Sequence, residues 1–126
     1  MNPYCNAEGV GVTPWSPLAR GKLLNQGNTN RVQLDKVQGW LYESAKQSDQ
    51  QTVEALRQIA FSKNVSCAQV ALAWLLQKPG VVSPIVGATS VTQLIENARC
   101  LEVHLTEQEI QFLEQHYVPH ETPEYQ

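Results

Sequence analysis

Two short, almost wholly apolar runs along the chain are typical of strands buried in a parallel sheet. The first covers 9–15 and stops before Ser16, and the second covers 81–86. A strand that is buried on both faces is apolar at nearly every position, because neither face meets water. Pro84 suits a strand end or a bulge, because proline has no N–H to donate to a sheet. We therefore predict two parallel strands, over Gly9 to Trp15 and over Val81 to Val86.

Elsewhere, apolar residues recur every three to four positions, as they do along the buried face of a helix. Ser66, Ser90 and Thr106 are each followed three residues later by Gln or Glu, the pattern of a capping box at a helix N-terminus. The predicted helices cover about 49–63, 66–78, 91–99 and 106–113, with a further short one within 36–44 that follows a polar loop at 25–35.

The order of these elements predicts an α/β protein. Two short buried strands joined by a helical crossover imply a parallel sheet with a right-handed connection. Two strands are too few to form such a sheet, so we expect further strands to come from sequence outside this chain. The length of 126 residues suits one domain of ordinary size.

Composition excludes several classes of function. The hydrophobic fraction of 42% and the charged fraction of 17% are typical of a globular protein. A net charge of -3, with nine scattered Lys and Arg, argues against a nucleic-acid partner. No window of about eighteen apolar residues predicts a membrane span. The three cysteines are odd in number and far apart, which favours reduced thiols and a cytoplasmic location. His116 and His120 have no second ligand pair, so we expect no metal site.

The segments that follow the two predicted strands are the candidates for ligand binding, because ligands of parallel α/β folds lie at the C-terminal ends of strands. Gly87 permits close approach of a ligand to the backbone, and the N–H groups of Ala88, Thr89 and Ser90 surround a helix N-terminus that favours an anion. Gln93, Glu96 and Asn97 share one side of that helix and could hydrogen-bond a nucleobase or a ribose phosphate.

A purely structural interpretation of these residues stays open. A Gly-x-Thr sequence before a helix is more often only a turn and a cap. Gln93 is already used by the capping-box interpretation, and Asn97 is more often a solvated helix residue. Ser16 and Pro17 taken alone most often end a strand.

Three segments together resemble the C-terminal part of an aldo-keto reductase. They are W-S-P-L-A-R-G at 15–21, A-Q-V-A-L-A-W-L-L at 68–76 and P-I-V-G-A-T-S-V-T-Q-L-I-E-N at 84–97, followed by T-E-Q-E-I-Q-F-L-E at 106–114. The resemblance covers nearly the whole chain. It implies a partial TIM (β/α)8 barrel, with about two parallel strands (the seventh and eighth of the barrel) and four to five helices. It also implies that 1–126 form one C-terminal NADP(H)-binding segment.

The family's cofactor-binding residues correspond to positions in both strand-end loops. The resemblance implies that the loop after the seventh strand lies against the pyrophosphate, and that it comprises Trp15, Ser16, Pro17, Leu18, Ala19, Arg20 and Gly21. Arg31 is the best match to a basic residue near the 2′-phosphate. Gly87, Ala88 and Thr89 would contact the adenosine-side phosphates, and Gln93, Glu96 and Asn97 would surround the 2′-phosphate and adenine.

The family's catalytic Asp, Tyr, Lys and His belong to earlier strands and have no counterpart in this chain. None of its tyrosines occurs in an Asp-x-x-x-x-Tyr-Gly context. The resemblance therefore implies an NADP(H)-dependent reductase of aldehydes or ketones. It also implies that this truncated chain is inactive alone. The chain would act on a carbonyl substrate only if the rest of the barrel is supplied. The alternatives are a non-catalytic NADP(H)-binding or regulatory module, similar to the family's potassium-channel subunits, and an inactive fragment. Exposed apolar faces, notably on the helix over 68–76, would favour self-association.

Overall fold

The computed structural model describes residues 2–24 and 46–118. The predicted loop at 25–35 and helix within 36–44 lie outside these ranges. The described elements are, in chain order, α1 (Asn2–Ala7), a 3-10 turn (Ala19–Leu24), α2 (Lys46–Lys63), α3 (Cys67–Leu76), α4 (Val91–Ala98), a second 3-10 turn (Arg99–Glu102) and α5 (Glu107–Glu114).

The two apolar runs pair in parallel, as predicted, but they form isolated bridges where continuous strands were expected. Val12 bridges Val81, and Trp15 bridges Ile85. The Ile85 N–H donates to the Pro14 carbonyl at 2.9 Å. Pro14 and Pro84 have no N–H, which interrupts the hydrogen-bond ladder of both runs. The prediction of full strands over 9–15 and 81–86 is therefore wrong for this structure, whereas the parallel pairing is confirmed.

The first run also begins later than predicted, because α1 ends in a turn that uses its first residues. α1 itself was not predicted. The Val10 N–H donates to the Cys5 carbonyl at 2.8 Å, and Gly9 has a φ of 67°, in the left-handed region that glycine adopts without steric cost. The extended backbone consequently starts near Val12.

α3 is the central helix of the core, and the prediction that its apolar face is exposed is wrong. Every residue from Ala68 to Ala73 is buried. The helix packs against α2, α4 and both 3-10 turns, and these neighbours leave no exposed side along its first two turns. The exposed large apolar side chains lie elsewhere, and include Phe61, Val82, Ile85, Val91, Leu94, Ile95 and Leu101.

Three side chains at the end of α3 or just after it attach the C-terminal segment to this helix. Gln77 pairs with the backbone of Leu105 twice: its Nε2 donates to the carbonyl and its Oε1 accepts from the N–H, both at 3.0 Å. The Trp74 indole N–H donates to the Glu114 carboxylate at 2.7 Å, and Lys78 contacts the same oxygen. Burial alone would raise the pKa of Glu114, but the hydrogen bonds from Lys78 and Trp74 hold that pKa below its usual value.

Two of the three predicted capping boxes are complete. Ser66 with Gln69, and Thr106 with Glu109, form both reciprocal hydrogen bonds. The third predicted capping box, Ser90 with Gln93, forms only one of its two hydrogen bonds. Ser90 Oγ accepts from the Gln93 N–H, but the Gln93 side chain does not return to the backbone of Ser90.

α2 ends in a Schellman motif in which Asn64 occupies the left-handed position, with a φ of 54°. The Val65 N–H donates to the Ala60 carbonyl and the Asn64 N–H to the Phe61 carbonyl. Since glycine adopts this conformation without a Cβ penalty, Asn64→Gly should raise the free energy of unfolding by about 0.5 kcal/mol, and Asn64→Ala should lower it by about 1 kcal/mol. Thermal unfolding followed by circular dichroism measures both.

The matched control for this prediction is Gln58→Gly, because Gln58 lies exposed within α2, at helical φ. There the same glycine should lower stability by about 1 kcal/mol. A loss of stability in Asn64→Gly as large as that in Gln58→Gly would contradict the assigned conformation of Asn64.

No single helix in the described part of the chain is long and apolar enough to cross a membrane. One bent pair, Gln47–Lys63 with Cys67–Leu76, meets the requirement by length and composition only, with a bend of 102°.

Candidate functional site

The two strand-end loops lie side by side, because the parallel bridges bring the ends of both apolar runs to the same edge. Trp15 opens the first loop and bridges Ile85, two residues before Gly87. A cleft of about 600 Å³ lies between these loops, the N-terminus of α3 and one side of α4. Segments that are distant in sequence therefore contribute to one concave surface.

Most of the residues predicted for the site line this cleft. They are Trp15, Ser16, Pro17, Leu18, Gly21, Gly87, Thr89, Gln93, Glu96 and Asn97. Ala19 and Ala88 belong to the same loops but do not line it, and Arg31 lies outside the described residues.

The N-terminus of α3 also lines the cleft, which no sequence pattern predicted. Ser66, Cys67 and Ala68 contribute there, together with Leu24 and the strand residues Ile85 and Val86. The capping box at Ser66 marks a helix N-terminus in the sequence, but only the packing of α3 beside the two loops brings that end to the cleft. Burial raises the pKa of the Cys67 thiol. The nearby Arg57 and a backbone hydrogen bond lower this pKa, but by less, so the thiol stays protonated at neutral pH.

The loop at 16–21 has an unusual backbone. Ser16, Ala19 and Arg20 have φ values of 54°, 48° and 56°, and Gly21 has a φ of 94°. Residues other than glycine rarely adopt this region, and such conformations concentrate at ligand-binding loops. Ala19, Arg20 and Gly21 are left-handed in succession, and the N–H groups of Ala19 and Gly21 donate to the Ser16 and Leu18 carbonyls, both at 2.9 Å.

The charged side chains of the lining are few. The Arg20 guanidinium lies over the Trp15 ring, 5.5 Å from its centroid, and supplies positive charge at the loop side of the cleft. Glu96 supplies a carboxylate on the opposite side. Among residues 2–24 and 46–118, no group of three or more His, Cys, Asp or Glu is arranged to hold a metal ion.

α4 is held in position by α3 and carries a buried amide into the cleft. The Gln69 Nε2 donates to the Glu96 carbonyl at 3.1 Å, which joins the two helices. Asn97 is 8% exposed and lines the cleft, and its carboxamide makes no hydrogen bond within the described residues. The amide atoms of this side chain face the cleft and are not fully buried. Asn97 is therefore placed to bind a polar ligand group.

Comparison with known proteins agrees with the resemblance found in the sequence. Residues 1–118 match the sequence model of the aldo/keto reductase family. This chain belongs to that family.

Individual relatives match over nearly all of this chain. Versiconal hemiacetal acetate reductase of Aspergillus parasiticus is 38% identical over 123 residues, which are 94% of this chain and 36% of that protein. An aldo-keto reductase of Alternaria alternata is 38% identical over 120 residues, or 93% of this chain and 32% of that protein. This chain spans about a third of the length of these relatives.

A solved structure shows the same arrangement of elements. It is a thermostable aldo-keto reductase in complex with the inhibitor epalrestat, with a TM-score of 0.62 and 28% sequence identity. The match covers 91% of this chain and 32% of that one. The described helices and the parallel bridges thus correspond to part of an aldo-keto reductase fold.

Proposed function

We propose that this chain forms the NADP(H)-binding part of an oxidoreductase that acts on aldehydes or ketones. The observation that carries the proposal is the cleft in which both strand-end loops meet the carboxamide of Asn97. Family membership adds support, because hydride transfer from a nicotinamide is the chemistry that such a cofactor supplies when it is bound.

The residues of the cleft fit the parts of a dinucleotide. The loop at 16–21 offers the guanidinium of Arg20, which suits a pyrophosphate. The α4 side offers Glu96 as an acceptor for an adenine amino group. The Thr89 hydroxyl also lines the cleft, where it donates to Gln93 Oε1 at 2.9 Å. Gly87 leaves room for close approach, because a Cβ at that position would meet no described atom within 4 Å.

We further propose that the chain alone binds cofactor without reducing a carbonyl. Carbonyl reduction requires a proton donor beside the substrate oxygen. In the described part of the chain no tyrosine or histidine lines the cleft, and the thiol of Cys67 has a raised pKa. The donor would have to come from residues outside this cleft, such as those of a complete barrel.

A non-catalytic NADP(H)-binding or regulatory module is the second candidate. It is favoured by the same lack of a proton donor in a cleft that otherwise suits a dinucleotide. Turnover distinguishes the two candidates. The experiment mixes this chain with a separately expressed complementary part of a family barrel and assays the reduction of an aldehyde. Reduction would favour the oxidoreductase. Cofactor binding without turnover would favour the module.

The test of cofactor binding is an isothermal titration of the 126-residue chain with NADPH. Saturable binding is expected, and Asn97→Ala should weaken it roughly tenfold to a hundredfold, since an amide hydrogen bond to a charged ligand contributes about 1.5–3 kcal/mol. Gly87→Ala should weaken binding while leaving the unfolding temperature unchanged, because the added methyl meets only the ligand.

The control for Asn97→Ala is Gln108→Ala, which changes an exposed amide on α5 that does not line the cleft. Its affinity for NADPH should equal that of the parent chain. A folded chain that releases no heat with NADPH, or equal losses in both alanine variants, would refute the proposed role of the cleft.

A further inference from the structure

α4 is an amphipathic helix whose apolar side faces away from the rest of the described chain. Val91, Leu94 and Ile95 have the i, i+3, i+4 spacing of one helix face, and they are 72%, 54% and 53% exposed. The opposite side carries Asn97, which is 8% exposed, and continues to Cys100, which is 7% exposed. The apolar face of a helix in a globular protein normally packs on the core. Here the polar side of α4 takes that position, and the apolar side is left uncovered.

Contacts on the polar side of α4 fix this orientation. The Gln69 side chain of α3 donates to the Glu96 carbonyl at 3.1 Å, and Asn97 lines the cleft. Turning the apolar side inward would break the first contact and withdraw Asn97 from the cleft. The exposure of Val91, Leu94 and Ile95 therefore follows from the fold. These three residues form the outer face of α4, and exposed apolar surfaces of this kind mark sites of protein association.

The outer face lies in a part of the chain without charge. Residues 79–95 contain no Lys, Arg, Asp or Glu, and no other stretch of the chain is as long without a charged residue. A partner that places charged side chains against this surface would lose their hydration and find no opposite charge. The surface that covers the outer face must therefore be apolar and uncharged itself.

A second copy of this chain meets both requirements. A two-fold axis places a surface against itself, which an uncharged apolar face permits without like charges meeting. The net charge of -3 makes two copies repel elsewhere, so the uncharged part is where they approach with the least repulsion. The adjoining run at 81–86 is also compatible with its own copy. The Ser83 N–H donates to no acceptor within the described residues, and an antiparallel strand offers both donors and acceptors.

We propose that the outer face of α4 is a homodimer interface, in which α4 packs antiparallel on α4 of a second copy. Leu94 and Ile95 lie at the middle of the apolar face, so the two-fold axis brings Leu94 of both copies together. This inference is independent of cofactor binding, because none of the three residues of the outer face lines the cleft.

The test is sedimentation equilibrium of the 126-residue chain at rising concentration. The average mass should rise from that of the 14.1-kDa chain toward twice that value. Leu94→Lys and Leu94→Glu should each weaken dimerisation at least tenfold, because like charges then meet at the axis. An equimolar mixture of the two variants should dimerise again, since a lysine then faces a glutamate across the axis.

The matched control is Tyr117→Lys, which adds the same charge at an apolar residue that is 67% exposed and lies after α5. Its dimerisation should equal that of the parent chain. In dilute solution, the unfolding temperature of Leu94→Lys should also match the parent, because Leu94 is half exposed.

Three results would overturn the proposal. The first is a parent chain that stays monomeric at every concentration. The second is a mixture of the two Leu94 variants that dimerises no better than either alone, which would mean that association is not centred on this residue. The third is a parent chain that binds only a complementary part of a family barrel and loses this binding in Leu94→Lys, which would assign the outer face to that partner.

Discussion

Leu72→Ala is expected to lower the free energy of unfolding by about 2–5 kcal/mol, the usual cost of deleting a fully buried leucine side chain. Leu72 is 2% exposed, and with Val70 it is one of the two largest side chains that are fully buried among the described residues. The loss combines the transfer of apolar surface to water with the cavity that remains. Because a domain of this size is stable by only about 5–15 kcal/mol, urea denaturation should shift to a clearly lower midpoint.

Leu101→Ala is the matched control, since it makes the same chemical change at a residue that is 71% exposed. Its effect should stay within about 0.5 kcal/mol. Equal losses in the two variants would mean that α3 is not the centre of the core. They would instead support the sequence-based expectation that the face of this helix is uncovered.

Gln69→Ala should lower the free energy of unfolding by roughly 1–3 kcal/mol, because two part-buried backbone groups lose their partner. Gln69 is 8% exposed. Its Oε1 accepts from the Ser66 N–H at 2.8 Å, and its Nε2 donates to the Glu96 carbonyl. Since the second bond positions α4, the variant should also weaken NADPH binding. Urea denaturation and titration measure the two effects.

Two further variants separate the cap from the link between helices. Gln69→Glu keeps an oxygen for Ser66 but faces the Glu96 carbonyl with an acceptor, so it should also be destabilised and should lose cofactor affinity. Gln58→Ala, at an exposed position of α2, should change neither quantity. Normal stability of Gln69→Glu would show that the cap alone accounts for the loss in Gln69→Ala.

The local elements of this protein follow directly from its residues. Ser66 with Gln69 and Thr106 with Glu109 predict two helix N-termini, because a cap requires only groups within one turn. The parallel pairing of the two apolar runs is likewise predictable, since both are apolar throughout and a helical crossover joins them. The resemblance of 15–21, 68–76 and 84–97 to one family is also present in the sequence and is confirmed by the family match.

Side-chain contacts between distant residues were decided by the tertiary structure alone. The residues of α3 are apolar at nearly every position, so the sequence indicates a helix that is apolar on nearly all sides. Only the neighbours that pack against it show that Ala68 to Ala73 are all covered. The second hydrogen bond of Gln69 joins it to Glu96, which no local pattern could indicate. At α4, the choice of Gln93 between Ser90 and Thr89 depends on how the preceding loop enters the helix. The cleft likewise exists only in the tertiary structure, because the two loops that line it are about seventy positions apart in the chain and meet only where Trp15 bridges Ile85.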